Sequence, residues 1–178
     1  MTYEEYMNIK AKRALTLTHN GKFYKKSRAL LIKNNKLCVI RLDSNVGKKT
    51  HYLLPGGDVD AGETSRQAAL REVTEEYGVQ AKIVKFAGKQ YYKAPLEYDG
   101  QKFVSNRVVH FYICEYVSDA PVSEYGIDGE FKRTDVTYTR TMLGLSELKK
   151  IDYHDLNSMS KQVYDNLIAY LQSKTKAK

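Results

Sequence analysis

The 178-residue chain has no tryptophan, two cysteines, three prolines and no long apolar run. Each shortage narrows the reading. No stretch approaches the roughly 18 consecutive apolar residues that a membrane-spanning helix needs. Residues 1–10 are polar, carry Glu4 and Glu5, and hold no apolar signal-peptide core. The expectation is a cytoplasmic protein without a membrane partner. Cys38 and Cys114 each sit in an apolar, β-rich run, and their spacing fits no zinc pattern, so they read as core thiols rather than a disulfide. The four histidines, His19, His51, His110 and His154, show no ligand spacing. No internal repeat or low-complexity linker breaks the chain, whose length suits one domain with short extensions.

Apolar residues make up 42% of the sequence, enough for a buried core at this size. The net charge of +8 is unevenly placed. Residues 1–28 hold seven Lys and Arg against two Glu, and Lys174, Lys176 and Lys178 add three more positive charges near the end. The remainder is neutral. The basic character therefore lies in the extensions, where it serves solubility or meets a polyanion such as RNA.

Thr2 and Glu5 have capping-box spacing ahead of a short helix over residues 2–14. His19-Asn20-Gly21-Lys22 reads as a turn. Residues 27–33 and 36–42 read as two strands joined by Asn34-Asn35, a tight-turn signal, into a hairpin. A polar loop over 43–49 precedes a short strand at 50–54. Thr64, with Gln67 three residues on, caps a helix over 64–77 that Gly78 ends. Two long β-rich runs, 80–93 and 102–117, flank the turn-like Glu97-Tyr98-Asp99-Gly100. Residues 118–140 read as a loop with one strand near 135–139, and Met159, Val163, Leu167 and Leu171 mark a final helix over 158–172. The order predicts a mixed sheet between helices.

The chemistry concentrates on the 64–77 helix. Glu72, Glu75 and Glu76 stand at i, i+3 and i+4, one face of a regular helix, beside the packing face of Ala69, Leu70, Val73 and Tyr77. Two carboxylates about 5.5 Å apart at an effective dielectric of 20 repel by roughly 3 kcal/mol. A partly enclosed stripe of this kind calls for a cation or raised pKa values. On its own, such a stripe is more often an ordinary solvated face. Its surroundings argue otherwise. Gly57 precedes Glu63 by six positions, and Glu63 precedes Arg71-Glu72-Val73-Thr74-Glu75-Glu76-Tyr77-Gly78-Val79.

This spacing resembles the box of the Nudix hydrolases, G-x5-E-x7-R-E-U-x-E-E-x-G-U, with all seven fixed letters present and Val at both bulky aliphatic positions. At about 7% usage per residue, a chance match at one start point is on the order of 1 in 10⁸. Tyr52-Leu53-Leu54-Pro55-Gly56-Gly57 resembles the family's lead-in, with Tyr52 where Trp is common and Asp60 where Glu is more usual. The resemblance implies an α+β (α/β) fold, a Nudix-type α/β/α sandwich with a mixed central sheet. Residues 1–25 would form a basic N-terminal extension, 26–172 the Nudix domain, and 173–178 a basic tail.

By the same resemblance, Glu72, Glu75 and Glu76 would bind Mg²⁺ or Mn²⁺, helped by Glu63 and the backbone carbonyl of Gly56. Gly57 would permit a tight turn. Arg71 would orient a glutamate by charge-assisted hydrogen bonding. Glu72 or Glu75 is the favoured general base, with Glu124, Asp128, Glu130 and Asp135 as loop alternatives. The implied reaction cleaves a nucleoside diphosphate linked to another moiety, giving a nucleoside monophosphate and the phosphorylated remainder. Modified nucleoside triphosphates, ADP-ribose, nucleotide sugars and dinucleoside polyphosphates are all candidates. RNA 5′-end pyrophosphate removal is the alternative that the basic termini suggest, and a non-catalytic nucleotide sensor is a third. Arg41 and Tyr91 are candidate substrate contacts, one for phosphate and one for base stacking. A monomer or homodimer is expected.

Overall fold

The computed structural model describes residues 2–44, 50–121 and 136–176. Helix α1, Tyr3–His19, opens with the expected capping box: the Glu5 amide donates to Thr2 Oγ1 at 3.1 Å and the Thr2 amide to Glu5 Oε2 at 2.7 Å. It runs five residues beyond the predicted end. Strand β1, Tyr24–Lys33, also begins earlier than its apolar run suggested, because Tyr24 is buried at its head. Strand β2 spans Lys36–Ser44, and the Asn34-Asn35 link carries positive φ at both residues, 52° and 57°. Such a two-residue turn matches the twist of the strands it joins.

Strand β3, Thr50–Leu53, leads into the Pro55–Gly57 segment. The box helix departs from the regular helix expected over 64–77. Its α-helical part, α2, covers Ser65–Glu72, and a π-helical turn follows over Val73–Tyr77. Gly78, at φ 71° and ψ 36°, ends it. Glu75 and Glu76 therefore sit on a widened turn, so the single-face projection of a regular helix does not hold for them. The packing face also differs: Ala68, Ala69 and Val73 are fully buried, whereas Leu70 is only half-buried.

Strands β4, Val79–Tyr98, and β5, Gln101–Asp119, form a long antiparallel hairpin closed by Asp99-Gly100, again with positive φ at both positions. Strand β6, Val136–Leu143, and the short helix α3, Leu145–Leu148, precede the C-terminal helix α4, Lys161–Lys176. Lys174, expected in a tail, lies on α4 and reaches Glu115 at 2.6 Å.

The sheet order is β3-β2-β1-β5-β4, with β6 paired to β2. β1 runs parallel to β5 and antiparallel to β2, so the sheet is mixed, as expected. Alternation along β1 divides the core. Leu30 and Ile32 face Leu148, Met159, Val163, Leu167 and Leu171 on the α4 side. Ala29 and Leu31, with Cys38, Tyr112 and Cys114, face Ala69 and Val73 of the box helix. The result is an α/β/α sandwich in which both cysteines are free and buried. No helix among the described residues is long and apolar enough to cross a membrane.

Candidate functional site

The segment after β3 is laid along β1. The Ala29 amide donates to Pro55 O at 2.8 Å, the Ser27 amide to Gly57 O at 2.9 Å, and the Val59 amide to Lys25 O at 3.1 Å. Two glycines make this approach possible. Gly56 has φ +150°, and a Cβ there would overlap Ser27 O and lie 2.8 Å from Arg28 Cα. A Cβ on Gly57 would overlap Glu72 Oε1 and lie 2.8 Å from Glu72 Cδ. Gly57 does not have positive φ, so its need for a missing side chain comes from the close Glu72 carboxylate, not from the tight turn expected.

Arg71 is the hub of the acidic group. Its Nε and Nη2 donate to the two Glu63 oxygens at 2.9 and 3.2 Å, and its Nη1 donates to Glu72 Oε1 at 3.0 Å and Glu75 Oε2 at 2.9 Å. Nη2 also donates to the Asp58 carbonyl at 3.0 Å. The forked guanidinium thus ties the loop to the helix through four partners, which no lysine could reproduce. Those Glu63 hydrogen bonds raise the Arg71 pKa further and hold the Glu63 carboxyl below its ordinary value. Glu76 stands apart and accepts the Gly56 amide at 2.8 Å. Burial, reinforced by the neighbouring Glu72 carboxylate, pushes Glu76 up to about 7. Burial also raises Glu72, against the opposing pull of Arg71. Glu72 is only 9% exposed, further inside than a carboxylate at the core edge.

Sequence reasoning missed Asp58, which holds the other side of the loop. Its carboxylate accepts from Tyr24 Oη at 2.7 Å and pairs with Lys10 at 2.9 Å and Lys26 at 3.3 Å. Burial alone would raise this carboxyl, but Lys26 and Lys10 outweigh it and hold it down at about 2. Arg13, also on α1, donates to the Val59 carbonyl. Helix α1 is therefore fastened to the loop that carries Gly57 and Glu63. No local pattern joins residues 10, 26 and 58; only the fold does.

A cavity of about 350 Å³ opens beside this group on the α4 side, lined by Lys26, Arg28, Gln90, Tyr92, Asn157 and Ser158 among others. Arg28 links it to the acids, for its Cδ lies 2.9 Å from where a Gly56 Cβ would stand. Asn157 and Ser158 both adopt positive φ, 56° and 51°. Asn157 clamps the lead-in by accepting the Leu54 amide on Oδ1 at 2.8 Å and donating its own amide to Tyr52 O at 3.0 Å. The Gln90 Oε1 atom is buried without a hydrogen-bond partner. Of the two candidate substrate contacts, Arg41 pairs with Asp43 at 2.9 Å and lines neither this cavity nor the cleft described below. Tyr91 points to the opposite sheet face, and its neighbour Tyr92 lines the cavity. Strand parity separates them. Glu124, Asp128, Glu130 and Asp135 lie outside the described residues.

The NUDIX domain family profile matches residues 23–158, which contain the whole acidic group. The chain belongs to the Nudix family. It is 28% identical over 137 residues to an ADP-ribose pyrophosphatase of Methanocaldococcus jannaschii, covering 77% of this chain and 64% of that protein. It is 33% identical over 85 residues to an RNA pyrophosphohydrolase of Erythrobacter litoralis, covering 46% of this chain and 49% of that protein. The chain therefore spans roughly half to two thirds of the length of these curated relatives. A NUDIX hydrolase from Nitrosomonas europaea superposes with a TM-score of 0.53 at 18% identity over 86% of this chain and 91% of that one. The likeness is one of fold: the Nudix sandwich. Helix α1 lies outside the matched residues yet is bound to the Nudix loop through Asp58 and Val59.

Proposed function

We propose that this Nudix protein hydrolyses a phosphoanhydride bond in a nucleoside diphosphate linked to a further group, using Mg²⁺ or Mn²⁺. The observation that carries the reading is the charge imbalance at the box. Glu63, Glu72 and Glu75 converge on one guanidinium, Glu76 stands beside them without a cationic partner of its own in that group, and the two most buried, Glu72 and Glu76, are pushed toward their protonated forms by burial. Among the described residues no three His, Cys, Asp or Glu side chains are gathered as a ready coordination cluster, since Arg71 lies among the carboxylates. The donor set nevertheless fits a hard cation: carboxylate oxygens on a Gly-rich loop and a widened helical turn, with uncompensated negative charge.

Glu72, Glu75 and Glu76 would hold the ion, with Glu63 and the Gly56 carbonyl as further donors. When bound, it would neutralise the diphosphate and lower the pKa of an attacking water. The chain's own groups do the rest. Arg71 keeps Glu63, Glu72 and Glu75 in fixed relation. Glu72 or Glu75 orients and deprotonates the water. Arg28 and Lys26 offer positive charge to substrate phosphates in the adjoining cavity, and Tyr92 offers a ring face to a base or sugar.

The relative that matches over 77% of this chain is named an ADP-ribose pyrophosphatase, which makes ADP-ribose the first substrate to try. The test is a panel of ADP-ribose, nucleotide sugars, dinucleoside polyphosphates and modified nucleoside triphosphates, with products resolved by chromatography. The reading expects a nucleoside monophosphate and the phosphorylated remainder, formed only with a divalent ion. Silence across the panel with folded protein overturns it and favours a nucleotide sensor.

A further inference from the structure

On the sheet face opposite the cavity, a second cleft of about 640 Å³ lies between α1, the Nudix loop and the β4–β5 hairpin. Lys25, Val108, Tyr91 and His110 line its sheet side, and the sheet continues past it in rungs, the innermost of which holds Ala29 and Tyr112 buried under the box helix. Register sets Lys25 beside Val108 and Tyr91, then Ser27 beside His110 and Lys89, then Ala29 beside Tyr112 and Phe86. The last rung depends on a register shift between Phe86 and Gly88. A regular strand would place Ala87 there. The bulge instead sends Ala87 into the α4 core and brings Phe86 out beside Tyr112, with ring centroids 5.4 Å apart.

Three aromatic rings are left in the open: Phe23 is 43% exposed, Phe86 46% and Tyr91 55%. Phe23 and Tyr91 meet edge to face at 5.3 Å. Scattered apolar side chains on a surface need no explanation, but these are interleaved with cations. The Lys89 ammonium lies 5.4 Å from the Tyr91 ring centre, and the Arg66 guanidinium 5.9 Å from that of Tyr112. Lys22 and Lys25 pair with no carboxylate among the described residues. Asp60 and Glu63 close one end of the cleft, and both are engaged by Arg71. His110 is lowered by burial and by the positive charge of Lys89 and Lys25.

We propose that this face binds single-stranded RNA, with two or three bases stacked on Phe23, Tyr91 and Phe86 and phosphates met by Lys22, Lys25, Lys89 and Arg66. Same-face rungs repeat at about 7 Å along a strand, so Tyr91 and Phe86 are separated by roughly 14 Å. Aromatics exposed on the surface of a sheet can stack two or three bases, and flanking cations follow the backbone. A duplex hides the ring faces of its bases and does not fit this surface. RNA rather than DNA is inferred from the acids at the cleft's end: an RNA 5′ end can carry a triphosphate, which contains the kind of phosphoanhydride bond that the proposed hydrolysis breaks. This last step rests on that functional reading; the binding face does not.

Binding is measured by fluorescence anisotropy with a 3′-labelled RNA decamer of mixed sequence, in EDTA so that nothing turns over. The expected result is affinity that falls with salt at a slope of about −2 to −3, as three or four phosphate contacts require. Phe23→Ala and Phe86→Ala should each weaken binding by about 5- to 100-fold, and Lys25→Glu should flatten the salt slope. Duplex RNA should bind at least tenfold more weakly. No measurable binding, indifference to all three substitutions, a preference for a DNA decamer of the same sequence, or equal binding of duplex overturns the proposal. Hydrolysis of a small nucleotide by the Phe86→Ala and Lys25→Glu variants should stay at the wild-type rate. Failure of RNA binding is thereby separated from failure of the hydrolase reading.

Discussion

Asp58→Asn is the substitution whose consequences the fold defines most fully. The carboxylate is nearly buried, accepts from Tyr24 Oη, and is the anion for both Lys10 and Lys26. Its pKa, held at about 2 against an ordinary 3.8, corresponds to roughly 2 kcal/mol of stability at neutral pH. Asparagine keeps the shape but leaves Lys26, itself largely buried and lowered by that burial, without its counter-charge. Breaking a buried pair costs about 3–5 kcal/mol when both ions are fully enclosed. Lys10 and Lys26 retain some contact with solvent, so about 2–3 kcal/mol is expected. The pH dependence has a definite sign. The folded pKa is depressed, so the contribution is complete above pH 3.8 and is lost as pH falls through 2. Urea unfolding of wild type and variant should therefore show a constant gap from about pH 8 to 5 that narrows below about pH 4. A gap under about 0.5 kcal/mol at pH 7, or one that grows between pH 5 and 8, would refute the reasoning.

Gly57→Ala should cost about 1–3 kcal/mol by overpacking, because the new methyl meets the buried Glu72 carboxylate and not a flexible surface tip; thermal melts check this, and an unchanged Tm contradicts it. Arg71→Lys should lose most of the activity, since a lysine cannot span Glu63, Glu72 and Glu75 together. Steady-state kinetics with circular dichroism as the folding control would reveal it, and a variant within twofold of wild type would contradict it. Mg²⁺ should raise the Tm of wild type by relieving the Glu72–Glu76 repulsion. Glu72→Gln should lose much of that increment, as calorimetry with and without EDTA would register.

Much of the fold is legible in the sequence because it is written in local signals. The turn dipeptides Asn34-Asn35 and Asp99-Gly100, the capping boxes at Thr2 and Thr64, and Gly78 at the helix end all act within a few residues. The box residues are legible for a different reason: their spacing resembles a family, and the fold does bring Gly57, Glu63, Arg71, Glu72, Glu75 and Glu76 together. What escaped depends on distant partners. Asp58 becomes the anchor of α1 only because residues 10, 24 and 26 fold around it. The π-helical turn cannot be seen in a side-chain pattern drawn at 100° per residue. Tyr91 and Tyr92 are chemically alike, and their assignment to opposite faces needs the strand register that a bulge four residues away alters.

Metal-dependent cleavage at the acidic group is tested most directly by Glu76→Gln. The glutamine keeps an acceptor for the Gly56 amide, so the fold should survive, while a negative charge of the group disappears. Phosphorus NMR of ADP-ribose, or of whichever panel substrate turns over, should show AMP-type monophosphate appearing with wild type and Mg²⁺. Neither EDTA-treated wild type nor the correctly folded Glu76→Gln protein should produce it. Full metal-dependent turnover by Glu76→Gln, or turnover by wild type that EDTA does not touch, would contradict the account.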